Sequence, residues 1–349
     1  MELTPGKWWG LRRLADPAGR FKMTAVDQRP PIKNLVAERR QLELAPYGDV
    51  CDVKALLVEV LGPASSALLL DPHFAFPAAV QLVPPRSGLI LTLEDSVFED
   101  DIDGRRSRMI DHWSVAKIKG TGADAVKLLA WYRPDASPAT LAHQQEFVAA
   151  IGRDCARYDI PFVLELLVYP MQGDAGHTTD YVEQPGKRAD HVLESVTTFA
   201  SPEYGVDMFK LESPVPGSAV PDTEEPRAAE TQDLFDEMGR AAGRPWVMLS
   251  AGVTQDQFVR ILQMAFQSGA SGYLAGRAIW WDAFQQFPDL TAMRSELEDE
   301  AVGYMRQINA LTDEAATPWH ASPSYGPEGP TLIAAGPAFR VNYAGIAPE

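Results

Sequence analysis

A single closed (β/α)8 barrel, or TIM barrel, is the fold class this sequence predicts, on three observations. Short, near-continuous apolar runs recur along the chain, segments with helical spacing lie between most of them, and the runs number eight. Apolar strands alternating with helices are parallel strands covered on both faces. Eight such units close into a barrel, where five or six would form an open doubly wound sheet.

In chain order, residues 4–16 predict a short leading helix ended near Pro17 and Gly19. The first run, 23–29, finishes in the polar residues Asp27, Gln28 and Arg29. The others are 67–71, 88–94, 125–132, 162–170, 208–215, 246–252 and 272–278. Helical spacing predicts helices over 35–44, 111–120, 141–158, 189–199, 228–242 and 254–268. The last opens on Thr254 as an N-cap and closes at Ser268-Gly269. Only a short helix fits between Asp71 and Gly88. The connection 171–188 is long for a compact domain and rich in Gly, Asp and Thr, which marks a functional loop. The barrel domain is expected over 1–320. Residues 317–349 hold six prolines and four glycines without periodicity, so 321–349 is expected as an extended tail that lies over the barrel or a neighbouring subunit, or is partly disordered.

The formal charge of -17 over 349 residues lacks the basic footprint that nucleic acid requires, so no nucleic-acid partner is expected. Cys51 and Cys155 are too few for a disulfide framework and suit a reducing compartment. The N-terminus has no signal-peptide pattern, and no segment approaches the ~20 apolar residues of a membrane span. A cytoplasmic protein with no membrane partner is the expectation. The six histidines sit at no metal-ligand spacing and no Gly-rich nucleotide loop follows the first run, so no metal and no cofactor are expected. His143 and His191 read as solvated helix positions.

In a barrel of this type the site lies at the C-terminal ends of the strands. Polar groups gather there: Asp27, Gln28, Arg29, Asp71, Glu94, Lys127, Glu165, Lys210 with Glu212, Ser250 and Arg277. Asp71 reads equally as the turn residue before Pro72. Lys127, Glu165 and Lys210 each interrupt an apolar strand. A buried ammonium is either paired or neutral and reactive, and a structural Lys–Glu–Lys network would account for the trio. Three such residues on consecutive strands, all toward one mouth, favour chemistry. A neighbouring cation and an apolar pocket pull a lysine from ~10.4 toward ~7–8, where the free amine attacks a carbonyl to form a Schiff base. Lys210 is then the nucleophile, Lys127 the tuning cation and Glu165 the proton shuttle. Ser250, Gly252, Gly276 and Arg277, after the last two strands, suit a phosphate cradle.

With those residues in place, the chain resembles the class I tagatose-1,6-bisphosphate aldolase family. The resemblance rests on AVDQRPPIKNL (25–35), LLLDPHFAFPAA (68–79), DHWSVAKIKGTGADAVKLL (111–129), IPFVLELLVY (160–169), FKLESPVP (209–216), LSAGVTQDQF (249–258) and AGRAIW (275–280). It implies a Schiff-base role for Lys210 and a proton relay through Glu165. It further implies active-site positions for Lys127, Asp27 and Gln28, and a C1-phosphate site at Ser250, Gly252, Gly276 and Arg277. A phosphorylated ketose substrate and a homo-oligomer are expected. The stretch 95–108 and the loop 171–188 depart from the family pattern where the distal end of a sugar would lie, so a sulfonate or other distal group is an alternative to phosphate. Arg29, Arg86, Lys187 and Arg188 are the candidate distal ligands. The extra tail leaves a sugar-phosphate-binding regulator as a further alternative.

Overall fold

The computed structural model describes residues 2–346 apart from 175, 182 and 183. Among them, eight parallel strands close a barrel: β1 (Phe21–Ala25), β2 (Ala67–Leu70), β3 (Gly88–Thr92), β4 (Ala125–Trp131), β5 (Phe162–Leu167), β6 (Met208–Leu211), β7 (Trp246–Met248) and β8 (Gly272–Ala275). The order around the ring is the chain order, closed by β8 against β1.

Alternate residues of a strand share a face, and that parity sorts the interior into two layers. Ala125, Val163, Met208, Val247 and Leu274 point inward with Met23, Leu69 and Ile90, forming one apolar cluster in the lower barrel. Lys127, Glu165 and Lys210 lie two residues further along β4, β5 and β6, on the same inward face but nearer the mouth. The intervening residues, among them Val126, Leu128, Leu164, Phe209 and Leu211, join the cluster under the outer helices. The apolar layer thus forms the floor of an ionic one.

The barrel is stoppered from below. Leu11 and Leu14 of the leading helix Pro5–Leu14 enter the lower cluster, as do Trp319 and Tyr325 of the tail. The Trp319 ring meets Trp8 and Tyr325 edge-on, with centroids 6.0 and 5.9 Å apart. Beyond it, Thr331–Leu332 pairs in parallel with Glu2–Leu3, and Tyr343 Oη donates to Asp159 Oδ2 at 2.5 Å. The tail therefore lies over the N-terminal end of the barrel, away from the mouth; residues 347–349 lie outside the described residues.

Several elements differ from expectation. The helix predicted over 35–44 spans Pro30–Arg40, because prolines at its first two positions start a helix where no N–H is needed. Tyr47–Leu61 is a further helix behind a Pro-Gly-rich entry that reads as loop. The helix predicted from 111 begins only at Val115, capped by Ser114. Arg277–Phe284, Leu290–Glu296 and Val302–Ala315 complete the outer layer after β8. Thr254 does cap Gln255–Gln267, in a reciprocal box with Gln257. His143 is exposed, but His191 is buried on Ala189–Phe199, 3.9 Å from Asp135. Arg86 precedes β3 at the lower end of the barrel, where its carbonyl accepts from Arg13, so it cannot serve the mouth.

Trp319→Ala should cost about 3–5 kcal/mol of stability, the usual penalty for emptying a buried aromatic site. Urea unfolding checks the loss, and turnover per folded molecule should stay unchanged because the stopper is at the far end from the mouth.

Candidate active site

The ionic layer is built on strand register. Glu165 of β5 pairs with Lys210 of β6, and Lys127 of β4 faces Val163 one pleat below. Lys210 Nζ donates to Glu165 Oε2 at 2.9 Å, and Lys127 Nζ meets the same oxygen at 2.8 Å. Lys127 also donates to Asp27 Oδ2 at 3.1 Å and to Glu94 Oε1 at 2.6 Å. Glu94 follows β3; its second carboxylate oxygen accepts the Leu129 N–H at 3.0 Å, and its carbonyl accepts Arg29 Nη1 at 2.9 Å. Three carboxylates around one ammonium decide the electrostatics. Burial opposes charge on Lys127, yet Asp27, Glu165 and Glu94 together raise its pKa well above the ordinary lysine value. Burial likewise pushes Glu165 and Asp27 up, but Lys127 and Lys210 outweigh it: Glu165 is lowered, and Asp27, which also feels Arg29, falls to about 2. Lys127, Glu165 and Asp27 are therefore charged in the resting site. Glu165 stands between the two lysines, so Lys127 acts on Lys210 through a shared oxygen and not as a bare neighbouring cation.

This layer opens into a cleft with about 780 Å³ of space between its walls, part of it continuous with bulk solvent. On the β7–β8 side it is walled by Ser250, Ala251, Gly276 and Arg277. Here glycine is required twice. Gly252 has φ of +84°, and a Cβ on it would stand 3.2 Å from the Arg277 guanidinium carbon. A Cβ on Gly276 would come within 2.5 Å of Gln28 Nε2 and 2.8 Å of the Ala25 carbonyl. Removing both side chains lets Gln28 and Arg277 crowd the loops that start from β7 and β8. Burial pulls the Arg277 pKa down against the opposing pull of Glu165 and Asp27, but an arginine starts so high that it stays a cation. Gln28 Oε1 and Arg29 Nε are buried without a hydrogen-bond partner among the described residues, two polar atoms left for a ligand.

Across the ring, β4 stands opposite β8, and the cleft wall there is apolar: Leu129, Trp131, Leu167 and Tyr181. Arg105, from the hairpin of Glu99–Asp101 and Gly104–Arg106, props this wall from behind. Its guanidinium lies 4.8 Å from the centroids of Phe98 and Trp131 and 4.9 Å from Tyr169, and it bonds Asp100 and the Thr178 carbonyl. The divergent stretches 95–108 and 171–188 thus come together over the mouth; residues 175, 182 and 183 of the second lie outside the described residues.

Asp27, Gln28, Arg29, Lys127, Glu165, Lys210, Ser250, Gly276 and Arg277 all line the cleft, with Gly252 directly beneath Arg277. Of the other expected distal ligands, Lys187 is tied to Glu212 at 3.1 Å and Arg188 to Asp190. Asp71 caps the turn after β2, accepting the His73 and Phe74 N–H groups at 2.9 and 2.8 Å, and does not line the cleft. Trp131 and Tyr181 are cleft residues that no local pattern marks, since one reads as a strand aromatic and the other as loop.

The family model described as DeoC/LacD family aldolase matches residues 21–282, from β1 into the helix after β8. The chain belongs to the DeoC/LacD family of aldolases. The tagatose 1,6-diphosphate aldolase of Listeria monocytogenes serotype 4a (strain HCC23) is 34% identical over 328 residues, 91% of this chain and 95% of the relative. The enzyme of the same name from Lactococcus lactis subsp. lactis is 32% identical, over 91% and 99%. Among solved structures, a Schiff-base-forming fructose-1,6-bisphosphate aldolase aligns with TM-score 0.56 and 18% identity over 87% of this chain and 98% of its own. The fructose-bisphosphate aldolase of Plasmodium falciparum reaches TM-score 0.64 at 14% identity, over 91% and 98%. These two likenesses are of fold. As a DeoC/LacD family aldolase the protein is a carbon–carbon lyase, and the ionic layer at its mouth is the candidate centre for that chemistry.

Asp27 has a testable acid signature. Its pKa drops from 3.8 in the unfolded chain to about 2 in the native state. A depressed carboxyl stabilises the fold fully above its unfolded value, and this contribution fades as pH falls through the native value. Wild type should therefore lose on the order of 2 kcal/mol more than Asp27→Asn between about pH 4 and about pH 2. Denaturant midpoints across that window check this; parallel curves would refute it.

Proposed function

We propose that this protein is a class I, Schiff-base aldolase that cleaves a ketose 1,6-bisphosphate such as tagatose 1,6-bisphosphate to dihydroxyacetone phosphate and glyceraldehyde 3-phosphate. The observation that carries the reading is the single Glu165 oxygen shared by Lys210 and Lys127 at 2.9 and 2.8 Å. Lys210 passes a proton along that bond to Glu165, and the freed amine attacks C2 of the open-chain ketose. Glu165 returns the proton to the carbinolamine hydroxyl, which leaves as water and generates an iminium. The regenerated carboxylate then takes the C4 hydroxyl proton as C3–C4 breaks, and the bonding electrons move into the iminium to give an enamine. Protonation at C3 and hydrolysis release dihydroxyacetone phosphate and restore the amine.

Lys127 keeps its charge throughout, held by Asp27 and Glu94, and offers a fixed cation to substrate oxygens. Ser250, Gly252, Gly276 and Arg277 receive the C1 phosphate, with Gln28 beside them. The relatives named tagatose 1,6-diphosphate aldolase, which this chain matches along most of its length, support the bisphosphate substrate.

The wall opposite the phosphate corner favours a second reading of the distal group. Trp131, Leu129, Leu167 and Tyr181 carry no charge, and Arg29 is the cation that reaches that half of the cleft from β1. A sulfonate or other modified distal group in place of the second phosphate is the alternative. Side-by-side turnover of tagatose 1,6-bisphosphate and sulfofructose 1-phosphate separates the two.

Borohydride reduction in the presence of substrate should attach one triose to Lys210, located by peptide mass. Lys210→Ala should lose both trapping and cleavage, and retained cleavage would falsify the mechanism. Glu165→Gln should lower kcat by roughly 10²–10⁴-fold, the range for a general acid/base. We also propose a cytoplasmic homo-oligomer, whose assembly size-exclusion chromatography with light scattering tests; among the described residues no helix is long and apolar enough to cross a membrane.

A further inference from the structure

Behind the first strand lies an ion pair that the aldol chemistry does not touch. Lys54, on the helix Tyr47–Leu61, and Asp71, at the end of β2, are both wholly buried and bonded to each other. Neither lines the cleft. Lys54 Nζ makes a second bond, to the Val26 carbonyl at 2.7 Å. Asp71 in turn gathers the N–H groups of His73, Phe74 and Ala75, so the pair ties the exit of β2 to the exit of β1. The preceding carbonyl, Ala25, is held from the other side by Trp280 Nε1 at 3.0 Å. Two consecutive carbonyls at the exit of β1 are therefore fixed by side chains from two separate helices. The next three residues are Asp27, which bonds Lys127; Gln28, which packs on Gly276; and Arg29, which bonds the Glu94 carbonyl.

Burying two charges gains little stability over a well-packed apolar pair of the same volume. What the pair supplies is direction: an ammonium with two fixed acceptors sets where the Val26 carbonyl, and hence the Asp27 side chain one residue on, must stand. We propose that Lys54 and Asp71 are positioning residues for the aldolase reaction, which orient Asp27 against Lys127 by clamping the exit of the first barrel strand. This inference rests on the Schiff-base reading of the site, since it assigns the pair a role through Asp27 in that reaction.

The test is a double-mutant cycle between the clamp and Asp27. Lys54→Met/Asp71→Leu removes both buried charges together and so avoids an orphaned one. With circular dichroism confirming a folded protein, its kcat should fall by about 10²-fold, the scale of an ångström-level misplacement of a reacting group, while KM changes little. Asp27→Asn alone should cause a comparable fall. Combined with the clamp variant, it should add less than about threefold, because both changes disable the same element. Losses that multiply, or a folded clamp variant at wild-type kcat, would overturn the proposal. If the clamp variant does not fold, Asp71→Asn, which keeps a carbonyl oxygen for the loop N–H groups, enters the same cycle under the same criterion. Borohydride trapping on Lys210 in the wild type is run alongside, so a failure of the Schiff-base reading appears there and not in the cycle.

Discussion

Glu165 Oε2 takes both the Lys127 and the Lys210 ammonium inside the barrel, and the rest of the mouth is arranged around housing those charges. Taking an ion out of water costs several kcal/mol even after relaxation, so each buried charge at the mouth has an opposite partner or a polar contact at hand. Asp27 and Glu94 complete the shell of Lys127, and Arg29 closes on Glu94 from β1. Among the described residues lining the cleft, the four cations Arg29, Lys127, Lys210 and Arg277 face the four carboxylates Asp27, Glu94, Glu165 and Glu212. In a chain of formal charge -17, the cations of the cleft are thus balanced locally, and the field of the whole protein does not attract an anion.

The barrel makes this possible through parity. Residues two apart on one strand face the same way, so Val163 and Glu165, or Met208 and Lys210, stack as an apolar step beneath a charged one. The lower layer excludes water from below with the help of Leu11, Leu14, Trp319 and Tyr325. The ionic layer thus has a dry floor and an open ceiling. That asymmetry leaves the ion pairs open to a ligand from above while the fold beneath is closed to water.

Opposition across the ring gives the cleft two unlike ends. Loops after β7 and β8 bring Ser250, Gly276 and Arg277; β4 and β5 bring Trp131 and Leu167. One end is small, polar and cationic, the other flat and aromatic and braced by Arg105. A ligand with an anion at one terminus therefore meets a cationic end and an uncharged one, which favours a single orientation in the cleft.

The sequence by itself determined the barrel and the buried ionic trio at its mouth. Eight apolar runs separated by helical spacing admit few other folds, and Lys127, Glu165 and Lys210 betray themselves because a charge within a buried strand violates the local rule. Asp27, Gln28, Ser250, Gly276 and Arg277 were legible for a weaker reason, their place just past a strand end. Only the tertiary structure decided who pairs with whom. That Glu94 braces Lys127, that Lys54 reaches across to Val26, that Tyr181 joins the wall and that Arg86 faces the wrong end all depend on contacts between residues tens of positions apart. Local periodicity reports which face of an element is buried; it carries no information about what that face meets, because the meeting is set by ring closure and by the helices packed outside it.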